Sequence, residues 1–210
     1  MKRFLTSRWT KAAVFALSLA PAAYLVWGAF NDGLGANPLE YVTRETGDWT
    51  VRFLLVTLAI TPARKLLAQP DLIRFRRMLG LFAFFYGALH FLTYLWFDKF
   101  FDWPDMVKDV MKRPFITMGF AGFLLMLPLA VTSTKGWIRR LGGKRWQLLH
   151  RLGYFATLAG VIHYYWLVKS DVRMPLLYGA IFVVLMLFRA VTWLRRSASS
   201  SRTVVGAAPR

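Results

Sequence analysis

Three histidines, His90, His150 and His163, are the side chains of this 210-residue sequence that combine metal affinity with proton exchange near neutral pH. Each lies inside an apolar run: FYGALHFLTYLW, KRWQLLHRLGY and ATLAGVIHYYW. Cysteine is absent, which removes thiolate metal sites, disulfides, iron–sulfur clusters and cysteine nucleophiles. An imidazole in such surroundings ligates a metal, relays protons, or hydrogen-bonds a neighbouring helix as a neutral ring. A relay calls for carboxylates within the apolar runs, and Asp48 and Asp98 stand only at their ends.

The elements that must carry these rings are membrane helices. The chain is 57% hydrophobic, 17% aromatic and only 18% charged, too apolar for a soluble domain of this length. A net charge of +18 suggests nucleic acid, but the cations sit in short clusters between apolar runs, where topology explains them, so nucleic acid is set aside. A spanning helix needs roughly 20 apolar residues. Six runs qualify, near 11–30, 49–67, 78–97, 115–132, 147–167 and 175–194, which predicts an all-α integral membrane protein, a six-helix bundle. Pro114 and Pro175 stand where helices begin, Pro62 near the end of the second run, and Pro21 and Pro128 inside spans that they should kink. The first run is read as a retained helix rather than a cleaved leader, because it continues apolar through Trp27. With the N-terminus inside, 20 of the 28 basic residues and one of the ten acids fall on the inner side, which predicts that both termini are cytoplasmic. No internal repeat stands out. Residues 1–194 form the membrane domain, and the tail 195–210 reads as disordered and cytoplasmic.

Depth pairs two of the histidines. The third and fifth helices both run from inside to outside, with His90 12 residues and His163 about 16 residues past their starts, so the two rings share a level in the outer half of the bilayer. Two facing neutral imidazoles in a helical bundle suit the iron of a b-type haem, and a haem with both axial positions filled carries electrons. Zinc would want three or four ligands at one level. On a continuous helix His150 lies about 20 Å from His163. At its level the third helix carries Arg77. For His150 three readings stand: ligand of a second haem with a partner such as Met78, contact to a flavin or quinone headgroup, or a hydrogen bond at the interface.

The strings RFRRMLGLFAFFYGALHFLTYLWFD (Arg74 to Asp98) and RRLGGKRWQLLHRLGYFATLAGVIHYYW (Arg139 to Trp166) resemble the ferric-reductase-like transmembrane superfamily over nearly the whole chain. Within it they are similar to haem-binding subunits of bacterial protein-methionine-sulfoxide reductase systems. The resemblance implies a haem b protein of the bacterial inner membrane that also uses FMN. It implies electrons taken from the quinone pool or a cytosolic flavin reductase and passed to a periplasmic molybdopterin enzyme that repairs oxidised methionines. It implies haem-ligand roles at His90, His150 and His163. The superfamily commonly has two histidine pairs, whereas this chain has three histidines, with arginine near the fourth place.

No nicotinamide-binding unit is present, so electrons must come from a partner or a lipid-soluble donor. Among the inner cations, Arg76 and Arg77 rank highest as contacts to an FMN phosphate or another inner cofactor, since they enter the helix that carries His90. The outer loops from Asp98 to Pro114 and from Lys169 to Arg173 are the expected partner-facing surface. The rivals are a metalloreductase for external ferric chelates, a histidine-relay transporter and a passive membrane anchor.

Overall fold

The structure, a computed structural model, describes residues 5–205, with side chains described through Arg195. Among the described residues eight α-helices are delimited, in order: α1 (Arg8–Phe30), α2 (Pro38–Leu66), α3 (Ile73–Thr93), α4 (Trp103–Lys112), α5 (Pro114–Val131), α6 (Lys135–Leu149), α7 (Leu152–Leu167) and α8 (Arg173–Val205). A 3-10 turn, Pro70–Leu72, leads into α3, and a π-helical turn, Tyr94–Asp98, extends it. No strand occurs among the described residues.

Local chemistry starts these helices. Ser7 caps α1 by accepting from the Trp9 amide. Asn37 accepts from the Glu40 amide while Pro38 opens α2, and Asp102 accepts from the Asp105 amide at the start of α4. Thr134 does the same for α6. Within α6, Gly142 stands at φ 72° and ψ 153°, a backbone conformation open to glycine, and kinks the helix.

Among the described residues, four stretches are long and apolar enough to cross a membrane: Arg8–Phe30, Pro70–Asp98, Pro114–Val131 and Arg173–Arg195. The other two expected runs are also helical. However, α2 carries Arg44, Glu45, Asp48 and Arg52 along its first half, and α7 has 16 residues, about 24 Å of rise. The expected second helix gains polar turns at its start, because Asn37 and Pro38 nucleate it well before Asp48. Asp48 therefore lies inside α2, not at a helix end. The last helix runs to Val205, and the expected tail 195–210 falls largely outside the residues whose side chains are described.

The core forms where α2 and α3 pack along most of their length, with α5 and α7 as a second intimate pair. Phe53 of α2 stacks on Phe82 and Tyr86 of α3 at 5.7 and 5.4 Å, over Leu54, Leu79, Ala83, Met126 and Ala156. The α5–α7 pair meets through small residues, Gly122 against Ala159, where a Cβ on Gly122 would stand 3.4 Å from Ala159, at the edge of ordinary contact. A second cluster, Val51, Leu55, Leu58, Val161, Tyr178 and Leu185, ties α2 to α7 and α8.

Tyr86, fully buried, locks α1 to α3. Its hydroxyl donates to the Ser18 carbonyl (2.8 Å) and accepts from the Ala22 amide (3.1 Å), so it occupies one rung of the α1 ladder beside Pro21. Proline lacks an N–H and crowds the preceding turn, which opens the ladder for such an insertion.

Candidate functional site

His90 on α3 and His163 on α7 meet between the two helix pairs. Their ring centroids lie 6.0 Å apart and the ring planes cross at 74°. Each ring is held from behind by a different helix. His90 Nδ1 donates to the Thr43 carbonyl of α2 at 2.9 Å, and His163 Nδ1 to the Phe115 carbonyl of α5 at 2.6 Å. A carbonyl can only accept, so both rings carry the Nδ1–H tautomer and leave the Nε2 lone pair available. No hydrogen bond to either Nε2 occurs among the described residues.

These features fit a metal held between two imidazoles. A metal–nitrogen bond of ~2.0–2.1 Å on each side, plus about 1.1 Å from nitrogen to ring centre, puts the centroids about 6.3 Å apart, close to the observed 6.0 Å. A backbone carbonyl on the remote ring nitrogen is the usual support of a ligating histidine. Among the described residues no three or more His, Asp or Glu side chains converge, and the imidazole pair is the candidate donor set. Both rings also rest on glycine. A Cβ on Gly47 would lie 3.1 Å from His90 Nδ1, and one on Gly119 would lie 2.7 Å from His163 Nδ1. Phe91, next to His90, stacks on Phe123 at 4.7 Å and lies 6.0 Å from Phe120, which makes the surroundings apolar.

His150 departs from its expected setting. The predicted helix 147–167 is broken at His150 and Arg151: His150 ends α6, and two short i+3 bonds, Gly153 amide to His150 carbonyl and Tyr154 amide to Arg151 carbonyl, carry the chain into α7. The ring folds back on its own helix, stacked on Trp146 at 3.8 Å with Nδ1 on the Trp146 carbonyl at 3.0 Å. The separation from His163 expected for one continuous helix therefore does not apply. His150 Nε2 is buried and makes no well-formed hydrogen bond, with the Leu129 carbonyl its neighbour. The half-buried Arg76 is in electrostatic reach of His150, and of Arg64, Arg189 and Tyr154. Arg189 spends its guanidinium on the Leu185 and Leu58 carbonyls and on the Tyr154 ring face. Arg77, by contrast, is exposed. Arg76 forms no ion pair among the described residues.

Sequence reasoning missed the acceptors Thr43 and Phe115, which act through backbone, and the two glycines. It also missed a polar network one position away from the pair. Arg52 donates to Asp48 and to the Tyr178 hydroxyl, each at 2.8 Å, and Tyr164 lies in electrostatic reach of Asp48. The i, i+4 spacing of Asp48 and Arg52 was the signal available for it.

Beyond the C-terminal end of α3, Lys99 pairs with both Asp105 and Asp109 and fastens α4 beneath the π turn. These pairs hold the Lys99 ammonium well above the usual lysine range, and Lys99 draws the Asp105 carboxyl below the usual carboxylate range. The opposite face of α4 exposes Trp103, Val107 and Met111, one turn apart.

Residues 46–161 match the family model described as ferric reductase like transmembrane component. The chain is 54% identical over 194 residues to the protein-methionine-sulfoxide reductase heme-binding subunit MsrQ of Herminiimonas arsenicoxydans, covering 91% of this chain and 89% of that protein. The protein of the same name from Caulobacter vibrioides is 54% identical over 90% of this chain and 89% of its own length. That from Ralstonia nicotianae is 50% identical over 96% and 94%. With helices, paired imidazoles and matched length in agreement, the chain belongs to the ferric-reductase-like transmembrane family and, within it, to the MsrQ group.

Proposed function

We propose that this chain is a haem b electron-transfer subunit that moves electrons outward across the bacterial inner membrane. The observation that carries the reading is the His90–His163 pair at 6.0 Å, each Nδ1 bound to a carbonyl of a neighbouring helix. His90 and His163 would hold the iron of a haem through Nε2, and a haem so held would supply one-electron transfer. The Thr43 and Phe115 carbonyls fix the tautomer and raise the basicity of the ligands. Phe91, Phe120 and Phe123 keep water from the surrounding space.

In this reading all six expected runs cross the membrane with both termini cytoplasmic, as the 20 inner basic residues favour. Crossing by α2 is eased by the Asp48–Arg52 pair and the Tyr178 hydroxyl, which satisfy the charges internally. FMN or a quinol headgroup occupies the inner end, near the buried His150 Nε2, which makes no well-formed hydrogen bond, and near Arg76, which forms no ion pair among the described residues. His150 serves that cofactor or a second haem, and Arg77 stands at the inner surface. The electron donor is the quinone pool or a cytosolic flavin reductase. The acceptor is a periplasmic molybdopterin methionine-sulfoxide reductase, which docks on the outer loops from Asp98 to Pro114 and from Lys169 to Arg173. Reducing a sulfoxide to a thioether consumes two electrons and two protons and releases water, so a one-electron carrier must turn over twice for each methionine repaired.

Proteoliposomes test the direction. With a reduced quinol or flavin donor on the side of the inner loops, an external molybdopterin partner should reduce a sulfoxide peptide only when this chain is present. Equal rates without the chain would sink the proposal. The family description favours one alternative, reduction of external ferric chelates; the same vesicles offered ferric citrate in place of the partner would then produce ferrous iron at comparable rates.

A further inference from the structure

The two imidazoles of the pair are seated in the same way, on two different helices. In an α-helix the carbonyl of residue i accepts from the amide of residue i+4. Thr43, whose carbonyl receives His90, lies four residues before Gly47, and Phe115, whose carbonyl receives His163, lies four residues before Gly119. A helical side chain leans toward the N-terminus and covers the turn before its own Cα. A side chain at i+4 would therefore cover the carbonyl of residue i, and glycine there leaves it bare. Each carbonyl has a second lone pair to offer besides the one used by the helix. At Thr43 the Thr46 hydroxyl also approaches, at 3.0 Å, but its shorter bond goes to Val42.

The seats belong to a repeat that the histidines bring out. Placing His90 on His163 aligns LGLFAFFYGALHF (Leu79–Phe91) with LGYFATLAGVIHY (Leu152–Tyr164), which share Leu, Gly, Phe, Ala, Gly and His at equivalent places. The carbonyl-to-histidine separations nearly coincide, 47 residues from Thr43 to His90 and 48 from Phe115 to His163. In that alignment His150 falls opposite Arg77, so the likeness between the halves is kept at the outer pair and lost at the inner end. The helices themselves pair accordingly, α2 with α3 and α5 with α7.

Resting on the haem reading above, the geometry points to Gly47 and Gly119 as positioning residues: by baring the Thr43 and Phe115 carbonyls they seat the two imidazoles, one in each half of the repeat, with Nδ1 bound and Nε2 free for iron. The seats are not equally tight. A Cβ on Gly119 would come within 2.7 Å of Nδ1 and 2.9 Å of Cε1 of His163, closer than packed atoms allow, and the ring must move. A Cβ on Gly47 would stand 3.1 Å from both atoms of His90, which requires a smaller adjustment.

The test uses the full chain with Gly119→Ala, Gly47→Ala and, as control, Gly122→Ala. Gly119 and Gly122 share α5 and the same gain in helix propensity, but the control Cβ meets nothing nearer than 3.4 Å. Loss of outer support for a ligating histidine typically lowers affinity about 10- to 100-fold. Gly119→Ala should therefore lose haem occupancy or low-spin character within that range, Gly47→Ala should lose less, and Gly122→Ala should match wild type. Selective nitrogen-15 histidine labelling of the haem-free protein, which has three imidazoles to resolve, supplies a second readout: the His163 Nδ1–H signature should be displaced in Gly119→Ala and retained in Gly122→Ala. If wild type carries a low-spin haem and all three variants match it in spectrum, affinity and ring signals, the seats are refuted. If wild type carries no haem, the haem reading fails instead, and the ring signals alone decide the seats. Should Gly119→Ala not accumulate, the looser Gly47 seat is decided by the same readouts on His90.

Discussion

Removing the Tyr86 hydroxyl as Tyr86→Phe should destabilise the bundle and loosen the site together. The ring is fully buried, so phenylalanine keeps the stack on Phe53 and takes away only the oxygen. That oxygen satisfies two backbone groups, the Ser18 carbonyl and the Ala22 amide. A buried polar group left without a partner costs about 1–3 kcal/mol, so the pair sets a range of about 2–6 kcal/mol. Closure of the α1 rung by direct pairing of Ser18 with Ala22 would reduce this. Pro21 within that turn opposes such closure, and a loss of about 2–4 kcal/mol is expected. Tyr86 also lies one helical turn before His90, so any rotation of α3 should appear in the spectrum of a cofactor bound there. The assay is reversible unfolding in mixed micelles, with wild type and Tyr94→Phe compared; the Tyr94 hydroxyl makes only a long 3.5 Å contact to Asp109. A Tyr86→Phe protein within about 0.5 kcal/mol of wild type would refute the claim that this hydroxyl completes the α1 ladder.

Other predictions follow from the same geometry. Lys99→Ala should release α4, measured as faster amide exchange over Trp103–Lys112 with α3 and α5 unchanged. The clamp has a defined pH window: the Lys99 pKa is raised on folding, so its contribution is complete below the unfolded value of about 10.4 and is lost as pH rises through the folded one. The Asp105 pKa is lowered, so its contribution is complete above about 3.9 and is lost as pH falls further. Exchange in α4 should therefore show no clamp-linked change between about pH 5 and 9 once corrected for intrinsic rates, and a step inside that interval would contradict the assignment. Arg76→Ala should lower retained flavin by about tenfold, the loss of one charge-assisted phosphate contact, whereas exposed Arg77→Ala should change it little; equal effects would remove Arg76 from its proposed role.

That His90 and His163 face each other is legible in the sequence, because depth along a helix can be counted and the two positions fall at one level. The seats are not, since a backbone carbonyl leaves no mark in a sequence and glycine is common in membrane helices for many reasons. The start of α2 was missed because an apolar-run criterion passes over Glu40 to Asp48, although Asn37 and Pro38 were readable as a cap. The break at His150 was hidden by continuous apolarity: Leu148, Leu149, Leu152 and Gly153 fit one helix as well as two, and the stacking of His150 on Trp146 is a choice made by the ring. The outer segment looked like a loop, yet Asp102, Pro104 and the Asp105–Asp109 spacing carry the signature of the capped helix found there.

The measurement that bears most directly on the central claim is a reduced-minus-oxidised absorption spectrum of the purified protein, with its haem and flavin quantified, beside His90→Ala and His163→Ala. Sharp low-spin b-type bands are predicted in wild type, lost from the outer site in both variants at unchanged helical content. A folded His163→Ala protein that retains the wild-type spectrum and haem content, or a wild type that stays colourless after haem-supplemented expression, would contradict the claim.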